Sequence, residues 1–247
     1  MNITENNIVG ELVAEDYRTA AIFKSKKIDF CCNGNRSISE VCKSKDLDAS
    51  ALIEELKQVT RDQDEPLFDF RSWPADFLAD YIEKRHHRYV ESKISEIMPY
   101  LDKVVKVHGQ HHPELVEIQE QFSSAAGELA AHMKKEELIL FPYIRNLVAA
   151  EQKGERLPNP HFGTVENPVA MMKEEHNVEG ERFRRIAELS SNYIAPEEAC
   201  NTYRVTFALL KEFEADLHLH IHLENNILFP KAIEMEKTRP HERTEVF

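Results

Sequence analysis

The sequence predicts an all-α chain, a small N-terminal helical domain ahead of a four-helix bundle. Three observations carry this. Apolar residues recur every three or four positions along most of the chain, the period of helices with one buried face. Only 7 of the 247 residues are Gly, and strand-like alternation is scarce. An eleven-residue segment also occurs twice. His132-Met-Lys-Lys-Glu136-Glu-Leu-Ile-Leu-Phe-Pro142 and His220-Ile-His-Leu-Glu224-Asn-Asn-Ile-Leu-Phe-Pro230 both read His-x-x-x-Glu-x-x-Ile-Leu-Phe-Pro. Such an internal repeat implies a duplicated helix pair.

Residues 1–64 form the expected N-terminal domain. Ile8, Val9, Leu12, Val13, Tyr17, Ala20 and Ala21 lie on one helical stripe. Asp29-Phe-Cys31-Cys32-Asn-Gly34 reads as a turn, and Ser37 with Glu40 reads as a capping box opening the next helix. The Cys pair thus precedes a helix N-terminus, where the dipole stabilises a thiolate. A redox-active or metal-handling pair is the functional reading, and two buried small side chains the structural one. Cys42 reads as core, and Cys200 has no assigned role.

Residues 65–73 are the expected linker, and 74–247 the bundle. Ser72 and Pro74 mark the first bundle helix, which carries Ile82, His86, Val90 and Ile97 on one face, with Pro99 set to kink or end it. His86 and His87 compete for one role. His87 shares its face with Asp80, Glu83, Lys84 and Glu91, which reads as solvated, so His86 is preferred. The second helix runs from about 113 to 151, with Leu115, Ile118, Phe122, Ala125, Leu129, His132, Glu136, Ile139 and Tyr143 as its buried seam. The third opens at Asn167-Pro168 and carries Val169, Met172, His176, Phe183 and Ile186. The last starts near Ala195-Pro-Glu-Glu, with Tyr203, Thr206, Leu210, Phe213, Leu217, His220, Glu224 and Ile227 inward and His218 outward. Pro142 and Pro230 are expected to bend or end their helices.

A His and a Glu four residues apart lie on one helix face, about one turn from each other. His86 precedes His132 by 46 residues and His176 precedes His220 by 44. Four imidazoles and the carboxylates Glu136 and Glu224 would therefore meet inside the bundle. Such groups are costly on an apolar seam unless paired or metal-bound. The set suits two first-row transition ions bridged by the two carboxylates, and zinc less well. The alternative is a metal-free His–Glu hydrogen bond in each helix. Glu128, one turn before His132, and Glu175, beside His176, are candidate acids or proton carriers near the site, with a solvent-facing Glu128 as the alternative.

A net charge of −13 argues against nucleic acid and against an anionic membrane surface. No apolar run approaches the roughly 18 residues of a transmembrane helix. The first residues lack a basic and an apolar stretch, so the expected location is cytoplasmic. A homodimer is compatible with the sequence.

Asp29-Phe30-Cys31-Cys32 with Gly34, and the two His-x-x-x-Glu segments, together resemble the di-iron iron–sulfur cluster repair proteins, the regulators of cell morphogenesis and nitric-oxide signalling. The resemblance covers nearly the whole chain and implies a hemerythrin-like bundle behind a Cys-Cys domain. It implies a non-haem centre of two iron ions, oxo- and carboxylate-bridged, held by His86, His132, His176 and His220 with Glu136 and Glu224 bridging. Glu128 and Glu175 would line the access route. Cys31 and Cys32 would handle iron or electrons. The implied function is repair of clusters damaged by nitrosative or oxidative stress, by iron donation, nitric-oxide reduction, or both. The partners would be damaged iron–sulfur proteins or apo-cluster acceptors, and nitric oxide or oxygen. An oxygen- or nitric-oxide-binding sensor without turnover is the alternative. Asn33 departs from the small residue common after the Cys pair.

Overall fold

A computed structural model describes residues 3–61, 69–155 and 157–238. Residues 65–68 of the expected linker and the charged tail after 238 lie outside them. Eight helices occur among the described residues. The N-terminal module holds α1 (Val9–Glu15), α2 (Thr19–Ser25), α3 (Ile38–Lys45) and α4 (Ala49–Arg61). The single stripe expected over 8–21 is broken into two helices at Asp16, which caps α1 and receives the Arg18 side chain. The Ser37–Glu40 capping box forms as expected.

Four long helices follow. Helix α5 spans 75–108, α6 spans 114–153, α7 is Glu166–Leu189 and α8 spans 201–238. Three of them contain one π turn each: Ile82–His87 in α5, Glu136–Leu140 in α6 and Glu224–Leu228 in α8. Helix α5 packs on α6 and α8, and α6 packs on α7. Pro99 sits inside α5 without ending it. Helix α7 starts at Glu166, so Asn167 is inside the first turn; its amide donates to the Phe162 carbonyl instead of capping. Helix α8 starts at Asn201, later than the Ala195-Pro signal suggests.

Two apolar clusters fill the interior. The first joins Val9, Phe23, Phe30 and Val41 of the N-terminal module to Leu129, Met133, Leu217 and Ile221 of the bundle. The second holds Ile82, Leu140, Phe141, Val169, Met172, Leu223, Leu228 and Phe229. Along α6, His132 and Glu136 fall where the first cluster gives way to the second, and His220 and Glu224 do the same along α8. The polar set is thus a belt between two apolar layers.

The N-terminal module is drawn together by a close backbone approach between Gly10 and Gly34, and Gly10 sits against Asn226 of the bundle. Gly10 N–H donates to the Gly34 carbonyl at 2.7 Å. A Cβ on Gly34 would lie 2.3 Å from the Phe30 carbonyl oxygen, so that position needs glycine, and one on Gly10 would lie 2.7 Å from Asn226 Oδ1 and displace that side chain. Helix α1 lies against the π turn of α8. This contact also covers His218, expected to be exposed. Its ring packs edge-on against Phe30, and burial pushes its pKa down.

Candidate metal centre

Two groups of side chains converge in the belt. His87, His220, Glu136 and Glu224 offer ligand atoms within 4.8 Å of one another, and so do His132, His176, Glu136 and Glu224. All six residues are buried. Glu136 Oε2 lies 3.3 Å from His132 Nε2 and 3.4 Å from His87 Nε2. Glu224 offers one oxygen to His220 Nε2 at 3.0 Å and the other to His176 Nε2 at 3.2 Å. Both carboxylates belong to both groups, which is the arrangement of bridging ligands. Each group takes one histidine from each copy of the repeat.

Three of the four outer nitrogens are held by other side chains, while His220 Nδ1 is buried without a hydrogen bond. His132 Nδ1 meets Glu175 at 2.7 Å, His87 Nδ1 meets Glu137 at 3.1 Å, and His176 Nδ1 meets Asn225 at 2.9 Å. Such partners orient an imidazole so that Nε2 faces inward. Among the inward atoms, His87 Nε2, both Glu136 oxygens and Glu224 Oε2 are buried and make no hydrogen bond. Unpaired buried polar atoms aimed at one point are what a cation would satisfy, so the residues fit a metal.

The charges agree. Burial favours the neutral acid at Glu136 and Glu224, yet the facing imidazoles hold both carboxyls below the usual range. Burial pushes His87 and His132 down, but the carboxylates outweigh it and raise them to about 10 and about 9. The metal-free cluster therefore carries protons that bound cations would displace.

The structure corrects the choice within the first pair: it brings His87, not His86, to the cluster. His87 is fully buried, not solvated. The π turn at 82–87 adds a residue to the turn and changes the phase of the helix, so the stripe through Ile82 does not predict which histidine faces the centre. His86 is buried beside it, with Nδ1 3.0 Å from Asp216 and its ring stacked on His220. One sequence signal favours His87. It precedes His132 by 45 residues, nearer the 44 of the second repeat.

His132, Glu136, His176, His220 and Glu224 are brought together. Glu175 lies against the cluster through His132, and a third of its side chain is exposed, where it also pairs with Lys135. Glu128 is exposed and pairs with Arg182 at 2.8 Å. Asn225, Glu137 and Asp216 were not found from sequence, because their roles depend on contacts across the bundle.

Cys31 and Cys32 lie with their sulfurs 3.8 Å apart. The expected thiolate stabilisation is absent at Cys31. Its hydrogen bond with Cys32, its burial and the nearby Asp29 push the thiol well above its usual range. The N-terminus of α3 is already capped by Ser37 and Glu40, and Asp29 accepts the N–H groups of Cys31 and Cys32. Cys32 Sγ reaches the His176 carbonyl at 3.3 Å, which places the pair directly over α7.

Comparison with known proteins agrees with this geometry. Residues 78–232 match the hemerythrin HHE cation binding domain. Residues 5–60 match the ScdA N-terminal domain, described as a domain of unknown function. The bundle is therefore a cation-binding domain of the hemerythrin class. The iron–sulfur cluster repair protein ScdA of Staphylococcus haemolyticus is 34% identical over 229 residues, covering 93% of this chain and 99% of that protein. The iron–sulfur cluster repair protein YtfE of Yersinia pestis is 32% identical over 233 residues, covering 94% and 98%. The chain belongs to the ScdA/YtfE family. No helix among the described residues is long and apolar enough to cross a membrane.

Proposed function

We propose that the chain repairs iron–sulfur clusters damaged by nitrosative or oxidative stress, using two iron ions bound between α5, α6, α7 and α8. His87 and His220 would hold one ion and His132 and His176 the other, with Glu136 and Glu224 within reach of both. The observation that carries the reading is the sharing of both carboxylates by both imidazole pairs. A mixed His/carboxylate set of this size suits iron better than a closed tetrahedral zinc site. The relatives are named as iron–sulfur cluster repair proteins, which gives the acceptor: a damaged or incomplete cluster in another protein.

Iron donation is favoured by the setting of His132. Its orienting partner Glu175 is partly exposed and is shared with Lys135. That carboxylate links a ligand to solvent, so a change of its partners loosens the centre from outside. Cys31 and Cys32, packed over His176, are thiols through which leaving iron would pass. The cytoplasm is the proposed compartment.

The test is anaerobic. Purified chain is loaded with ferrous iron, freed of excess metal and mixed with a dehydratase whose [4Fe–4S] cluster has been damaged by nitric oxide. About two irons per chain, and recovery of dehydratase activity matched by iron loss from the chain, are expected. Loaded chain that keeps its iron while the dehydratase stays inactive would remove the donation reading.

A further inference from the structure

Asn225 follows Glu224 directly, inside the π turn of α8, and is buried. Its two ends meet different parts of the protein. Nδ2 donates to the Cys31 carbonyl oxygen at 3.1 Å, and Oδ1 lies 2.9 Å from His176 Nδ1. A peptide carbonyl can only accept, so the first bond fixes which end of the amide is nitrogen. Oδ1 is then an acceptor, and His176 must carry its proton on Nδ1 to meet it. The Nε2 lone pair of His176 is left facing the cluster, 3.2 Å from Glu224 Oε2. A backbone carbonyl of the N-terminal module thereby selects the tautomer of a cluster histidine, acting through one amide.

The same loop is tethered beside this bond. Asn226 Nδ2 donates to the Phe30 carbonyl at 3.1 Å, and Cys32 Sγ donates to the His176 carbonyl at 3.3 Å. The seating of residues 30–32 is therefore continuous with the orientation of His176. His132 and His87 differ, since their Nδ1 partners are the bundle's own carboxylates Glu175 and Glu137. A carboxylate makes an imidazole a stronger ligand than a neutral amide does, so of these three histidines His176 is the one most open to adjustment.

We propose that Asn225 is a positioning residue through which the seating of the Cys31–Cys32 loop controls how firmly the His132–His176 half of the centre holds its metal. This rests on the metal-centre reading above. With the loop seated, the amide is pinned by Cys31 and His176 is held as the Nδ1–H tautomer. With the loop lifted, the amide is free to rotate, and His176 loses its fixed acceptor. The His87–His220 half keeps its own imidazoles. Contact of an acceptor protein with the Cys loop would then loosen one ion before the other.

The experiment uses the full chain in two forms, one loaded anaerobically with ferrous iron and challenged with a chelator, the other metal-free and labelled with 15N at histidine. Asn226→Ala removes the Phe30 tether, and with it the bond to His222, without touching His176. Asn225→Ala removes both bonds of the relay. Asn225→Asp keeps an oxygen for His176 Nδ1–H but cannot donate to Cys31. Circular dichroism checks that each variant is helical.

Asn226→Ala is expected to speed amide exchange at residues 31–34 and to release one of the two irons about tenfold faster or more. Asn225→Ala is expected to do the same, and the metal-free form should lose the Nδ1-protonated signal of His176. Asn225→Asp should free the loop yet keep both that signal and the iron. Faster loop exchange in Asn226→Ala with both irons leaving at the wild-type rate would overturn the coupling, and this variant decides alone if Asn225→Asp does not fold. Asn225→Asp losing iron as Asn225→Ala does, while folded, would also overturn it. A wild-type chain that takes up no iron would refute the metal-centre reading and the relay with it, a result distinct from a loaded chain whose release ignores the loop.

Discussion

His132 and His176 point their Nε2 atoms at each other across 3.0 Å. The Nδ1 of His176 must be protonated to meet Asn225, and that of His132 faces the Glu175 carboxylate. Two neutral imidazoles so arranged would set lone pair against lone pair. Without metal, a proton must sit between them, consistent with the raised pKa of His132. A cation there would remove that proton and satisfy both nitrogens. Metal loading is therefore expected to release protons and to raise the melting temperature. Calorimetric titration of the metal-free chain with ferrous iron, in two buffers of different ionisation enthalpy, measures the release. Equal apparent heats in both buffers would mean no protons leave, and the cluster would be a structural hydrogen-bond network.

His86 and His87 are neighbours with different tasks. His87 Nε2 faces both Glu136 and Glu224, whereas His86 Nδ1 pairs with Asp216. His87→Ala is expected to weaken metal binding by roughly 10- to 100-fold, the size of effect seen even for outer-shell changes, or more. His86→Ala should keep the metal and lower the stability of the chain by about 1–3 kcal/mol, since Asp216 loses its closer partner and keeps only Arg85 at 3.5 Å. Metal content after dialysis and urea unfolding separate the two. The reverse pattern would restore His86 as the ligand.

Pro142 and Pro230 end neither helix. Each sits second in the α-helical segment that follows a π turn, at Phe141–Lys153 and Phe229–Thr238. Proline lacks an N–H and crowds the carbonyl four residues earlier. Those carbonyls belong to Leu138 and Asn226, both inside the π turns, where the wider turn accommodates them. Pro230→Ala restores the donor and favours an ordinary α turn. One residue of phase is about 100° of rotation, enough to misalign Glu224 with the segment beyond it. Metal affinity should fall about tenfold or more while the metal-free chain is as stable as before or more so. Unchanged affinity would show that the turn is held by other contacts.

The π turns also decide what was legible in the sequence. Up to His132 the seam of α6 is regular, and Leu115, Ile118, Phe122, Ala125 and Leu129 are all buried as their spacing predicts. Past Glu136 the count slips. Ile139, expected on the seam, is 40% exposed, and Leu140 is buried in its place. The same slip misplaces His86. The five other cluster residues were readable because each lies where the α period still holds or at the first residue of a π turn. Asn225 was not readable, since its meaning lies in the Cys31 carbonyl 194 residues away. Likewise, the face of α8 that holds His218 looks polar only until Phe30 is laid against it.

Glu179 stands one turn beyond His176 on α7 and is almost fully buried. Burial raises its pKa to about 7, although Arg182 lies 3.2 Å away and opposes the shift. Its Oε2 makes no hydrogen bond. A carboxyl raised from its usual range on folding favours the folded state while it is neutral. That contribution is complete below about pH 4.5 and is lost as the pH rises through about 7. The size of the loss is on the order of 3 kcal/mol at pH 8. Glu179→Gln keeps the shape and removes the titration. The difference in unfolding free energy between variant and native chain, both metal-free, should therefore grow in favour of the variant from pH 5 to pH 8. Taking the difference at each pH cancels the other titrating groups. A difference that stays flat across this range would mean that Arg182 keeps Glu179 ionised throughout, and that burial is not the stronger influence.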